Sequence, residues 1–298
     1  LAEFLRANGL KIRYDNEMTV LDLIKRTADF FAMKGVPNPK LDAEQIIAHG
    51  LRCKRLQLFL QFDREMDELT LEKLRVLVKR RAEREPLQYI IGDVEWGGLK
   101  LKVDRRCLIP RHETEELWEL VLDENHVAGR KPKSILDLGT GSGALALALK
   151  KSYPNAKVTA VEKNPDTLQL ALENAQALGL EIDFVEGSWC EGLAAGSKFD
   201  LIVSNPPYLT KDEYESAQPE VKSWEPLQAL VAPDEGFADI AQIMVQAQKH
   251  LAEGGELWLE TGVAHAAKIK TLSAELGYKK ATIHKDHSKR NRFARLGA

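Results

Sequence analysis

The sequence predicts an α/β fold: a mostly parallel sheet with helices on both faces, preceded by a small helical bundle and a short hairpin linker. Short apolar runs at Ser134–Leu138, Lys157–Val161, Ile182–Val185, Leu201–Val203 and Glu256–Leu259 are mostly separated by helix-period stretches, notably Ala144–Lys151, Pro165–Leu178 and Ala238–Leu251. Such alternation calls for crossover connections and hence parallel strands. The first of these strands enters a glycine turn, Gly139-Thr140-Gly141-Ser142-Gly143, that opens a helix. Residues 1–86 carry helical periodicity instead, which sets them apart as a domain of their own.

In that first region Val20, Leu21, Ile24, Ala28 and Phe31 recur at helical spacing behind Thr19 as N-cap. Gly35 and Pro37–Pro39 break the chain before a second helix in Asp42–Gly50. A third helix spans Thr70 to Arg84, with Leu71, Leu74, Leu77 and Val78 apolar. Its other face carries Lys73, Arg75, Lys79, Arg80, Arg81 and Arg84 among Glu72 and Glu83. This face reads as solvated, with a docking surface for an acidic or nucleic-acid partner as the alternative. Pro86 stops the helix, and Leu87–Val103 turns strand-like around Gly92 and Gly97–Gly98. The expected organisation is therefore a helical domain at 1–86, a β-hairpin linker at 87–105 and an α/β domain at 106–298. Ala281–Lys285 and Arg292–Leu296 read as a closing hairpin.

The chain has 298 residues, 44% hydrophobic and 29% charged, enough apolar material for a sizeable core. No apolar run approaches the ~18 residues of a membrane helix. Leu1–Leu10 lacks the pattern of a secretory leader, and Leu in place of Met leads us to expect that the natural start lies upstream. Cys53, Cys107 and Cys190 are far apart and read as reduced thiols of a cytoplasmic protein. A net charge of −3 argues against stable binding to nucleic acid, whose affinity rests on phosphate contacts.

Two motifs carry chemistry. Glycines at 139, 141 and 143 allow a ligand to approach the main chain closely. Asp137, two residues before them, suits the ammonium of a methionine moiety and repels a pyrophosphate. Glu162 ends the next strand and can accept hydrogen bonds from both ribose hydroxyls of a nucleoside. Together they favour a nucleoside cofactor without phosphates over a dinucleotide. The second motif, Asn205-Pro206-Pro207-Tyr208, follows Phe199–Ser204 at the same sheet edge. An amide nitrogen is a poor nucleophile because its lone pair is delocalised. The Asn205 side-chain oxygen and the Pro206 carbonyl offer one acceptor for each N–H. The two prolines stiffen the loop, and Tyr208 supplies a ring for a planar group to stack on.

With these motifs in view, the chain resembles the HemK/PrmC family of protein-(glutamine-N5) methyltransferases over nearly its whole length. The resemblance rests on Glu85–Gly92, Leu108-Ile-Pro-Arg-His-Glu-Thr-Glu115, Asp137–Gly143, Glu162, Asn205–Tyr208 and Glu225–Leu230. It implies a Rossmann-like class I methyltransferase sheet and S-adenosyl-L-methionine as cofactor, with S-adenosyl-L-homocysteine as product. It also implies a class I peptide release factor as substrate, methylated at the glutamine of its Gly-Gly-Gln tip, with residues 1–86 recognising it. Cofactor contacts carry over to Gly139, Thr140, Gly141, Ser142, Gly143, Glu162, Asn205 and Trp189. Asn205, Pro206, Pro207 and Tyr208 hold the glutamine, and Asn205, Pro206 and Tyr208 are the expected catalytic positions. Arg111 and Glu113 stand beside the pocket, either as a pair or as substrate contacts. A monomer is expected. A ribosomal-protein glutamine and adenine N6 of nucleic acid are the competing targets.

Four departures stand out. His112 replaces a usual proline, and Ser188 stands where Asp is common before Trp189. Asp234-Glu235-Gly-Phe237 stands in for Asp-Gly-Leu, and Val263-Ala-His265 follows Glu260 in place of a Gln-rich stretch. They bear on substrate grip more than on reaction class. His284, Asp286 and His287 on one turn lack a fourth ligand, so no metal is expected.

Overall fold

The computed structural model describes residues 18–298, so the part of the expected helical domain before Met18 lies outside the described residues. The chain packs as two units, one ending at Gly92 but including Pro219–Trp224, the other formed by Asp93–Gln218 and Glu225–Ala298. Among the described residues no helix is long and apolar enough to cross a membrane.

The helical unit is built on α1 (Val20–Met33), α2 (Pro39–Gly50) and α3 (Glu68–Ala82). Thr19 caps α1 as expected, its hydroxyl accepting the Asp22 N–H at 3.2 Å. Leu23, Phe30, Phe31, Ile46, Ile47, Leu74 and Val78 form its buried core. Deleting one such side chain costs about 2–5 kcal/mol. The basic face of α3 is not simply solvated. Arg81 is buried, donating to Asp42 at 2.7 Å and to Glu220 at 2.8 Å. Arg84 also holds Glu220, at 2.6 Å, and Arg80 holds Glu85 at 2.7 Å. Three of the six cations thus serve carboxylates of this unit, and for the buried Arg81 leaving the guanidinium unpaired would be costly. Leu87–Ile91 is a helical turn rather than the strand its sequence suggests, ended by Gly92 at φ 91°.

In the second unit the hairpin is confined to β1 (Asp93–Trp96) and β2 (Leu99–Lys102). Then come α4 (His112–Val127), β3 (Ser134–Leu138), α5 (Ala144–Ser152), β4 (Lys157–Glu162), α6 (Pro165–Leu178), β5 (Asp183–Glu186) and β6 (Phe199–Ser204). The unit closes with α7 (Ala238–Gln248), β7 (Leu251–Glu260), α8 (Ala266–Glu275), β8 (Lys280–Lys285) and β9 (Asn291–Gly297). The seven strands order as β5-β4-β3-β6-β7-β9-β8, parallel through β7 and antiparallel in the closing hairpin.

Strand periodicity sorts side chains to two faces. Ile135, Leu201, Val203 and Trp258 join one core with α4, α5 and α6 residues such as Leu117, Ala146 and Ala175. Leu136, Leu138, Ile202, Leu257 and Leu259 join the other with Ile240, Ile243 and Met244 of α7 and Ile269 of α8. The chain leaves β3 toward β4 on one side and returns to β6 on the other, so the strand order reverses at β3. Ligands of open α/β sheets bind beyond the carboxyl ends of strands at such a point.

Candidate active site

At the carboxyl end of β3, Asp137 is buried and accepts the Thr140 hydroxyl at 2.6 Å and the Ala146 N–H at 3.2 Å. Burial lifts its carboxyl to about 7, against those hydrogen bonds and with Glu162 pushing the same way. Glu162, ending β4, accepts N–H donors from Gly141 at 3.1 Å and Asn164 at 3.0 Å. The glycine turn is geometrically necessary: at Gly139 (φ 71°) an added Cβ would lie 3.1 Å from the Trp189 ring. Trp189 itself is buried after β5, at φ 52°.

Across the same cavity lies Asn205, directly after β6. Its Nδ2 donates to the Thr114 hydroxyl at 2.8 Å. Thr114 in turn donates to Glu260 Oε2 at 2.7 Å, and Tyr208 donates to Glu260 Oε1 at 2.8 Å. The chain has one logical direction. Thr114 has a single proton, and giving it to the carboxylate leaves only lone pairs for Asn205. Asn205 must therefore present its NH2 to Thr114, which leaves Oδ1 as the acceptor arm. Glu260 is fully buried, and burial raises its carboxyl despite the two hydroxyls and the nearby Arg292 charge. Arg292 also covers the Tyr208 ring, with its guanidinium 5.5 Å from the centroid.

One cavity is lined by Arg111, Asp137, Gly139, Thr140, Gly141, Ser142, Glu162, Trp189, Asn205 and Pro207. Pro206, Tyr208, Gly143 and Glu113 are not among its lining residues. Gly143 instead caps α5 at φ 87°. The expected Arg111–Glu113 pair does not form. Arg111 holds the buried Glu225, and Glu113 faces Arg290 at 3.4 Å. Two cavity residues that the sequence does not single out, Arg106 and Thr114, are engaged by Asp104 and Glu173 and by Glu260. Thr114 has a signal, its place in the Leu108–Glu115 segment, but its partners are remote in sequence.

Ser188 lines the cavity. The departures at Glu235 and Val263–His265 meet each other. His265 Nδ1 accepts the Gly262 N–H at 3.2 Å, so Nε2 carries the proton and donates to the Glu235 carbonyl at 3.0 Å. That bond holds Asp234 and Glu235 at φ 52° and 55°, a conformation costing L-residues roughly 1–2 kcal/mol each. Next to them a Cβ at Gly236 would fall 2.1 Å from the Tyr208 carbonyl oxygen, so this turn supports the Asn-Pro-Pro-Tyr loop through a bare glycine.

Comparison with known proteins fits this geometry. A PrmC N-terminal domain profile matches residues 22–92, and a methyltransferase domain profile matches residues 130–295. A release factor glutamine methyltransferase of Deinococcus radiodurans is 41% identical, covering 93% of this chain and 98% of that protein. One of Rhodopirellula baltica is 36% identical, covering 91% and 94%. Among solved structures, the hMettl16 catalytic domain in complex with MAT2A 3'UTR hairpin 1 is 16% identical with a TM-score of 0.53, covering 78% of this chain and 81% of that one, a likeness of fold alone. With relatives of this identity spanning almost its full length, the chain belongs to the release factor glutamine methyltransferase family.

Proposed function

We propose that this protein transfers a methyl group from S-adenosyl-L-methionine to the side-chain amide nitrogen of the Gly-Gly-Gln glutamine in a class I release factor. The observation that carries the proposal is the fixed orientation of Asn205 by Thr114 and Glu260 at the cavity that Asp137 and Glu162 line.

The cavity fits the cofactor's chemistry. Asp137 offers a carboxylate to an ammonium, Glu162 offers one to ribose hydroxyls, and the bare edges of Gly139 and Gly141 admit close approach. A phosphate-bearing ligand fits poorly. Of the three lining cations, Arg106 and Arg111 already serve Asp104, Glu173 and Glu225 and Lys163 lies near Asp239, while Asp137 and Glu162 add negative charge. When bound, S-adenosylmethionine supplies an electrophilic methyl group on a sulfonium centre and leaves as S-adenosylhomocysteine.

Asn205 Oδ1 accepts one N–H of the substrate amide and the Pro206 carbonyl accepts the other. Both acceptors aim the nitrogen and stabilise positive charge as it develops there. Neither is a strong base, so the strongly acidic N-methylated amide gives up its proton to water after transfer. Tyr208 is tied to Glu260, so it braces the loop as well as flanking the substrate. Arg111, which lines the cavity, is assigned to contact the substrate, whereas Glu113 stands off the lining and is held by Arg290. We assign recognition of the release factor to the helical unit, and a monomer in the cytoplasm without stable nucleic-acid binding to the protein as a whole.

The direct test is transfer of labelled methyl to a purified class I release factor, beside a twin with its Gly-Gly-Gln glutamine changed to alanine. Label on the intact factor and none on the twin is the expected result. Label on single-stranded nucleic acid or on ribosomal protein instead would replace the substrate assignment while keeping the cofactor.

A further inference from the structure

Away from the cavity, the start of α4 and the β8–β9 turn bring together His112, Glu116 and His287. His112 and Glu116 are four residues apart and share a helix face. Glu116 is 7% exposed, and its Oε2 accepts the His287 backbone N–H at 2.8 Å. Its Oε1 lies 3.3 Å from His287 Nδ1 and 3.9 Å from His112 Nε2. One ligand atom from each of the three lies within 4.8 Å of the others.

The partners of Glu116 set it apart. Of the neighbouring carboxylates, Glu113 is engaged by Arg290 and Asp286 by Arg290 and Arg292, while Glu115 accepts the Gly97 N–H at 2.9 Å through Oε1 and keeps Oε2 3.6 Å from His112 Nδ1. Among the described residues Glu116 has no ion pair with Lys or Arg, only with the two imidazoles. A buried carboxylate needs compensating charge. Two imidazoles and a carboxylate form a donor set suited to a borderline divalent cation.

We propose that His112, Glu116 and His287 form a transition-metal site of the Zn2+ or Co2+ type, with water as fourth ligand. Ligand distances of about 2.0–2.2 Å require the donor atoms to close to about 3.4 Å of one another. Both imidazoles are 73% exposed on their side chains and can rotate to do so, while Glu116 stays anchored by the His287 N–H. The site depends on His112, which stands where the family resemblance expects proline. A bound ion ties the first turn of α4, which carries Thr114, to the β8–β9 turn.

The test is titration of untagged full-length protein with Co2+, read by visible ligand-field absorption, and with Zn2+, read by calorimetry. One saturable equivalent with imidazole–carboxylate character is expected, with a Tm rise of about 2–4 °C. His112→Ala, Glu116→Gln and His287→Ala each weaken binding by at least about tenfold, while the exposed control His126→Ala does not. Circular dichroism of each variant separates lost binding from lost fold, and the two exposed histidines keep the test valid if Glu116→Gln unfolds. Absence of saturable binding at millimolar metal overturns the proposal. So does binding that survives all three substitutions, or a thiolate charge-transfer band.

Discussion

The two walls of the cavity are built in opposite ways. On the glycine wall, Asp137 bonds to Thr140 and Ala146, three and nine residues away, and Glu162 bonds to Asn164 and Gly141, two and 21 away. On the asparagine wall, Asn205 reaches Thr114 across 91 residues, Thr114 reaches Glu260 across 146, and Tyr208 reaches Glu260 across 52. The first wall is mostly turn geometry, set by neighbouring residues. The second exists only when β6, β7 and α4 have assembled, and its key atom is oriented through two intermediaries. Binding of a common cofactor can rest on a local turn. Activation of a weak amide nucleophile needs an acceptor whose direction the whole domain enforces.

Asn205→Ala tests the second wall most severely. It removes the proposed acceptor itself, so kcat is expected to fall by roughly 10²–10³ while affinity for S-adenosylhomocysteine changes far less. Calorimetry alongside turnover checks the split, and an unaltered kcat refutes the role given to Asn205. Thr114→Val strikes one bond further out. It removes the proton that satisfies Glu260 and the lone pair that orients Asn205. The expected loss is about 10–100-fold in kcat with little change in the cofactor KM. Thr114→Ser restores the hydroxyl and should recover most of it; failure of that rescue means Thr114 matters through packing. On the first wall, Gly139→Ala forces a Cβ at φ 71° against the Trp189 ring 3.1 Å away. Its signature is the reverse: about tenfold weaker cofactor binding, with kcat at saturating cofactor nearly preserved.

The same contrast explains what the sequence reveals. The Gly139–Gly143 turn, the strand-terminal Asp137 and Glu162 and the parallel strands between them are legible because their causes are local: periodicity, glycine dihedrals and strand ends. The Asn205–Tyr208 loop is legible as a motif, yet its support is not. Nothing near Thr114 announces Glu260, and α4 hides within a segment whose polar residues dominate its first turn. Charge runs mislead for the same reason. Arg81 reads as one more cation on a solvated face of α3, although Asp42 and Glu220 draw it into the interior. Arg111 reads as a partner for nearby Glu113, although it holds Glu225 instead.

The smallest expected effect, and the one that separates the walls within the unmodified protein, is pH dependence. Burial raises both carboxyls, Asp137 to about 7 and Glu260 above the ordinary glutamate range of about 4.3. The charged form is the working form in each case, so both contributions are present at high pH and fade as pH falls through the raised pKa. They fade in different quantities. In its proposed role, Asp137 loses on protonation the charge offered to the cofactor's ammonium, so the Kd for S-adenosylhomocysteine is expected to rise as pH drops through about 7. Protonating Glu260 gives it a proton to donate to Thr114. Thr114 can then turn its own proton toward Asn205 and draw Oδ1 inward, away from the substrate. The kcat limb at saturating cofactor should therefore belong to Glu260 and vanish in Glu260→Gln, whose baseline kcat is already low because its amide can donate to Thr114 in the same way. Asp137→Asn should leave that kcat limb in place and flatten the Kd profile. A kcat limb that persists in Glu260→Gln would show that Asn205 is oriented without it, and the asparagine wall would then be as local as the glycine wall.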